Sequence, residues 1–400
     1  LILASSFGPV NHPDASDYHV GVPFQLIYKG INFNKDFLSF GLTGASDWVN
    51  ILFLYENNTW FIRVINGGLI FIPIVCYLYE RRVSYWTIMI FLSMPLVIQW
   101  ISNGKNNFLV EVTLAILLVH FLDEKNKKTM ASLIYACIFS VSFKISSLVS
   151  VVCILVISFF KRHLYFSLIS KISSTNIITL LSVLMLSSLV FYLRYDWYSN
   201  PTYPMLASFF NPNNEQLITF NKIITSYNRE VWYWPIRVFI PFNLSELSFS
   251  TGPVFLYFII INTLFNFKNK DSKILIIISI LSIVLILLFV QPRADYFAFS
   301  IILLIISSSN FNNYNLKLIF NSLVKFVIIL HIFLSISILS TNLIQNMYAV
   351  VDYQSAMKKF AFGYHVSQIA KDLKEPVLVN NIRQTKLFFE MEYVDIDVFD

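Results

Sequence analysis

Long apolar runs separated by short polar loops dominate the chain. A helix needs roughly 17–25 apolar residues to cross a bilayer, fewer where neighbours shield it. Runs of this kind fall at 60–79, 84–101, 107–122, 129–143, 145–160, 174–193, 252–267, 274–290, 296–310 and 320–342. The pattern predicts an all-α polytopic membrane protein with about 10–11 transmembrane helices. The higher count takes Leu1–Phe7 as the tail of a span that starts before the sequence does. Residues 129–143 and 145–160 read as a tight helical hairpin or as one long broken span.

The loops between these runs sort by charge. Glu80-Arg81-Arg82, Asp123 to Lys128, Lys161-Arg162-His163 with Lys171, and Lys268 to Lys273 fall on one side if every run is a span. Lys and Arg excess marks the cytoplasmic side. Three longer segments then face outward: 8–59, 194–251 and 343–400. The first two are rich in Pro, Trp, Tyr, Asn and Asp, and loops longer than ~15 residues are usually functional or disordered. Their aromatic content argues against disorder. The expected division is a transmembrane domain over 1–342 and a small α/β-like outer segment over 343–400. In that segment Lys358, Lys359, Lys371 and Lys374 lie on an expected amphipathic helix. Val377-Leu378-Val379 and Tyr393 to Val398 read as strands.

Composition supports the membrane reading. Hydrophobic residues make up 56% of the chain and charged residues 13%, against about 25% charged in a soluble domain. The basic residues form small loop clusters, so no nucleic-acid partner is predicted. Cys76, Cys137 and Cys153 lie in apolar runs and read as small buried hydrophobes. The six histidines form no metal-ligand pattern, and no metal or other cofactor is predicted.

Chemistry concentrates after the first apolar stretch, in His12-Pro13-Asp14-Ala15-Ser16-Asp17-Tyr18-His19. If Pro13 occupies a first helical turn, Asp14, Asp17 and Tyr18 share one face. Such a face can present a carboxylate as a general base. An acidic first turn favoured by the helix dipole is the simpler structural reading.

This motif resembles the Asp-containing first outer loop of GT-C glycosyltransferases, in particular the bacterial surface-polysaccharide type. Further segments agree in order and kind. They are Pro95 to Asn107, Ser142-Phe143-Lys144-Ile145-Ser146-Ser147-Leu148, Ser199-Asn200-Pro201-Thr202-Tyr203-Pro204, and Gln291-Pro292-Arg293 with Tyr296. The chain departs from the family where Ala15 follows Asp14 and where Asn107 ends the second loop. A metal site on two loop carboxylates is therefore not predicted.

The resemblance implies an inverting enzyme of the bacterial cytoplasmic membrane. It would move a hexosyl or pentosyl group from a polyprenyl-phosphate donor to a glycan or lipid-linked acceptor on the extracytoplasmic side. Asp14 is the first candidate for the base and Asp17 the second. Lys105, Lys144, Arg194, Arg237 and Arg293 are the candidates to hold the donor phosphate. Tyr18, His19 and Tyr203 are candidate substrate contacts. Several have plainer alternatives: Lys105 as a surface charge, Arg194 as an interfacial anchor, and Lys144 as a lysine reaching the surface at a hairpin turn. A repeat-unit polymerase is the rival function. A lipid-linked glycan transporter ranks third, because the chain shows no internal repeat.

Overall fold

The computed structural model describes residues 3–7, 15, 19–23, 41–53, 60–103, 105, 107–124, 127–160, 174–226, 234–240, 250–267, 269–290, 293–308, 317–360, 377–380 and 393–396. These are almost wholly helical. The chain runs from a 3-10 turn at Leu3–Ser6 to α1 (Ala45–Val49) and α2 (Trp60–Arg63). A π-helix (Val64–Leu69) leads from α2 into α3 (Ile70–Glu80). There follow α4 (Tyr85–Ser93), α5 (Pro95–Ser102), α6 (Asn107–Glu124), α7 (Lys127–Phe143), α8 (Leu148–Phe160) and α9 (Ser174–Tyr198). Short helices come next: α10 (Ala207–Phe210), α11 (Glu215–Ser226), α12 (Trp234–Arg237) and α13 (Pro253–Ile261). The series closes with α14 (Lys270–Phe289), α15 (Ala298–Ser307), α16 (Lys317–Val351) and α17 (Tyr353–Phe360).

Among the described residues four helical stretches are long and apolar enough to cross a membrane: Phe61–Glu80, Ile177–Tyr198, Ser272–Phe289 and Ile328–Val351. The pair α4–α5 makes a fifth if counted as one span bent by 65°. The bend has a local cause. Met94 precedes Pro95 and is extended (φ −65°, ψ 128°), because a residue before proline is driven out of the helical region. The break frees the carbonyl of Ser93, and the Ser335 hydroxyl of α16 donates to it at 2.6 Å. A backbone group released at membrane depth has to be met this way.

The outermost helices turn apolar side chains outward. On α9, Ile177, Ile178, Leu181, Leu186 and Leu189 are all exposed. On α16, Phe326, Ile329, Phe333 and Ile336 are exposed, while the buried positions include His331, Ser335, Asn342 and Asn346. In water each large exposed side chain forfeits about 1.5–3 kcal/mol of burial, whereas lipid removes that cost. By contrast α15, an expected span, is a core element: all of Ala298–Ser307 is buried. At 1.5 Å per residue it covers roughly half of a ~30 Å hydrocarbon core.

Two expected loop boundaries shift. Helix α9 runs through Tyr198, past the outer-loop start expected at 194, and α16 runs to Val351, past 342. Near the C-terminus β1 (Val377–Asn380) pairs in parallel with β2 (Tyr393–Ile396). Lys358 and Lys359 lie in the last turn of α17, whereas Lys371 and Lys374 fall outside the described residues. Arg81, just after α3, forms an ion pair with Asp123 near the end of α6. Two of the basic loops therefore meet at one end of the bundle.

Candidate functional site

The opposite ends of these helices gather the charged residues. Asp47 sits in α1, where its Oδ2 accepts the Gly44 N–H at 2.8 Å. This is the carboxylate half of a capping box. Its other oxygen, Oδ1, lies 2.6 Å from His19 Nδ1, and both side chains are buried. The Asn50 amide donates to the His19 carbonyl at 2.7 Å, and Asn66 of the π-helix donates to Asn50 Oδ1 at 3.1 Å. Residue 19 is thus held at its ring by α1 and at its backbone by Asn50, which the π-helix holds in turn.

The segment before Asp47 joins this pair to two cations. A Cβ at Gly44 would overlap the carbonyl oxygen of Phe143, so only glycine permits this approach. The Ser46 hydroxyl also donates to that carbonyl, at 3.2 Å. Lys144 is the next residue. It is extended (φ −152°, ψ 121°) between α7 and the 3-10 turn Ile145–Ser147, so the chain breaks there as expected. On the other flank Arg194 Nη2 donates to the Thr43 carbonyl at 3.1 Å. Its guanidinium acts electrostatically on Asp47. Arg194 is 2% exposed, and its Nε and Nη1 have no hydrogen-bond partner among the described residues.

Lys144 Nζ lies over the ring of Tyr296, 4.7 Å from its centroid, a cation–π geometry. It also faces Glu111 of α6 electrostatically. The carboxylate of that buried glutamate accepts the Ser150 hydroxyl at 2.5 Å. Arg293, half-buried, precedes the 3-10 turn Ala294–Tyr296. Lys144, Tyr296 and Arg293 therefore belong to one end of the fold. The first-loop segment is packed there as well: Trp48 and Trp197 have ring centroids 6.3 Å apart.

Of the expected site residues, some lie outside the described residues and others are buried or half-buried. Asp14, Asp17 and Tyr18 lie outside the described residues. Lys105 is buried, not a surface charge, and its backbone N–H is held by the Asn103 side chain at 2.8 Å. Arg194 is inside the last turns of α9 and is not an interfacial anchor. Arg237 is half-buried at the end of α12. Tyr203, an expected substrate contact, has a fully buried ring stacked on Tyr198 at 4.2 Å and on Phe220 at 6.3 Å. It also lies against Gly41. The physical reason is aromatic packing, which seats the 199–206 turn on the bundle.

Two residues of the site, Asp47 and Glu111, carry no motif, and neither does a further buried charge, Arg63. Glu111 and Arg63 are lone charges inside apolar runs, the usual mark of a functional intramembrane group. Arg63 is fully buried and lies close enough to Tyr353 of α17 to interact with it electrostatically. Asp47 had a weaker signal, an acid in the first turn after a glycine. Among the described residues no three His, Cys, Asp or Glu side chains converge as metal ligands would.

The fold and its outward apolar faces define an all-α polytopic membrane protein. No protein-family profile, no curated protein and no solved structure matches the chain.

Proposed function

We propose that this protein is a membrane glycosyltransferase that moves a sugar from a polyprenyl-phosphate donor to a glycan or lipid-linked acceptor, with inversion at the anomeric carbon. The carrying observation is the buried His19–Asp47 pair, joined through residues 43–46 to Arg194 and to the Phe143 carbonyl that precedes Lys144. The chemistry needs such a set: a proton acceptor for the incoming hydroxyl beside cations for the departing phosphate.

The acceptor oxygen attacks the anomeric carbon, and the bond from that carbon to the phosphate oxygen breaks. Polyprenyl phosphate leaves with the electron pair. Arg194 and Lys144 hold its charge where low dielectric strengthens each contact. Arg194 is suited to this by two buried N–H-bearing nitrogens with no partner among the described residues. Arg293, which precedes the turn carrying Tyr296, is a further candidate cation. The base comes from the first outer loop, which carries the candidate carboxylates Asp14 and Asp17 together with His19. The proposed location is the bacterial cytoplasmic membrane, with the site on the extracytoplasmic side. The resemblance of the 12–19, 142–148, 199–204 and 291–296 segments to GT-C enzymes supports the same reading.

The test is the composition of surface glycan and lipid-linked intermediates in cells lacking the protein. Loss of a single sugar, with its lipid-linked donor accumulating, is the expected result. Accumulation of complete unpolymerised repeat units would replace this reading with a polymerase, and unchanged glycan would remove both.

A further inference from the structure

Resting on the transferase reading, we propose that His19 is the catalytic proton acceptor and that Asp47 is the positioning residue that orients it. Three observations carry the assignment. His19 Nδ1 and Asp47 Oδ1 are 2.6 Å apart, which puts a proton on Nδ1 and makes Nε2 the acceptor nitrogen of the neutral ring. Asp47 cannot swing away, because Gly44 N–H holds its second oxygen. Finally, Asn50 clamps the His19 carbonyl and is itself clamped by Asn66. Ring, backbone and partner are therefore all fixed before any substrate arrives, as preorganised catalysis requires. A pair that merely tied two loops together would need only one of these contacts.

The step balances without any further reactant. The acceptor hydroxyl gives its proton to His19 Nε2 as its oxygen bonds to the anomeric carbon. The carbon–phosphate-oxygen bond breaks, and polyprenyl phosphate takes the electron pair. The imidazolium is neutralised by Asp47 and then returns its proton to water. Among the described residues Arg194 of α9 acts electrostatically on Asp47, the carboxylate that also holds the His19 ring.

The test uses the full chain in lipid vesicles. The donor and acceptor come from a lipid extract of cells lacking the protein, and transfer is followed against pH. The wild-type rate falls on the acid side, as a step that needs a neutral general base requires. His19→Gln lowers the rate about a hundredfold or more, the usual contribution of a general base. It also abolishes the acid limb while leaving the KM for donor nearly unchanged. Asp47→Asn slows the reaction and moves the acid limb, and Asp47→Glu restores part of the rate. A purely structural role would lower folded yield equally at every pH. Where His19→Gln does not fold, the acid limbs of wild type and Asp47→Asn decide: identical limbs overturn the proposal. Full activity of His19→Gln beside an inactive Asp14→Asn also overturns it and makes the loop carboxylate the base. Absence of any wild-type transfer from the extract refutes the transferase reading itself.

Discussion

The backbone of Gly44 touches the carbonyl of Phe143, with no room for a methyl group between them. That contact sets the segment carrying Asp47 beside the one carrying Lys144. Gly44→Ala must push α1 away from the end of α7. Overpacking of this kind costs about 1–3 kcal/mol. Thermal unfolding in detergent should drop accordingly, and transfer should fall further than stability does, because base and cation separate. Wild-type activity in Gly44→Ala would show that the two segments need not stay in register.

Arg194 donates once to Thr43 and has two further nitrogens without partners among the described residues. A planar fork of this kind suits a phosphate, and lysine cannot reproduce it. Arg194→Lys should therefore cost about tenfold in transfer, and Arg194→Met about a hundredfold. This follows from the ~1.5–3 kcal/mol of a hydrogen bond to a charged group. Steady-state rates at varied donor concentration check this, and an unimpaired Arg194→Met would remove the residue from the site.

Glu111 and Ser150 form a buried pair under Lys144. Glu111→Ala leaves the hydroxyl unmet, and should cost about 1–3 kcal/mol. Glu111→Gln keeps an acceptor for Ser150 and should cost less. A double-mutant cycle with Ser150→Ala, read by denaturation, should give a coupling of about 0.5–3 kcal/mol. A coupling of zero would mean that the contact contributes nothing to stability.

Much of this architecture was legible before the fold. The extended break at Lys144 follows from a lysine between two short apolar runs, whereas the bend at Met94 falls inside the single run expected over 84–101. What the sequence hid was length and partnership. Ala298–Ser307 looks like a span because its residues are mostly apolar, yet it is surrounded by protein on every side. Hydropathy cannot distinguish lipid from a protein interior. The sequence left Arg194 open between a phosphate contact and an interfacial anchor because it follows an apolar run, but α9 continues for another turn and Arg194 is buried there. The partner of His19 was hidden for a different reason: the contact spans 28 residues, and no local pattern joins His19 to Asp47.

Asp352 links α16 to α17. Its carboxylate accepts the Ser355 N–H at 3.0 Å. The Ser355 side chain and backbone hold the Asp352 carboxyl below its ordinary value of 3.8. A depressed folded value means that the cap contributes fully above the unfolded value and is lost as pH falls through the folded one. Hydrogen exchange across 353–360 should therefore quicken only in acid below about 3.8, and Asp352→Asn should show no such step. A step at neutral pH would assign the change to another group.

The site stands only if the first-loop segment and the end of α9 share a compartment that excludes the basic loops. Single cysteines at Leu52, Phe209, Glu80 and Lys128, placed in a chain whose Cys76, Cys137 and Cys153 are replaced by serine, can be probed on intact cells with a membrane-impermeant thiol reagent. Labelling is expected at 52 and 209, and at 80 and 128 only after the membrane is broken. Labelling of 52 and 209 from opposite sides would contradict that arrangement.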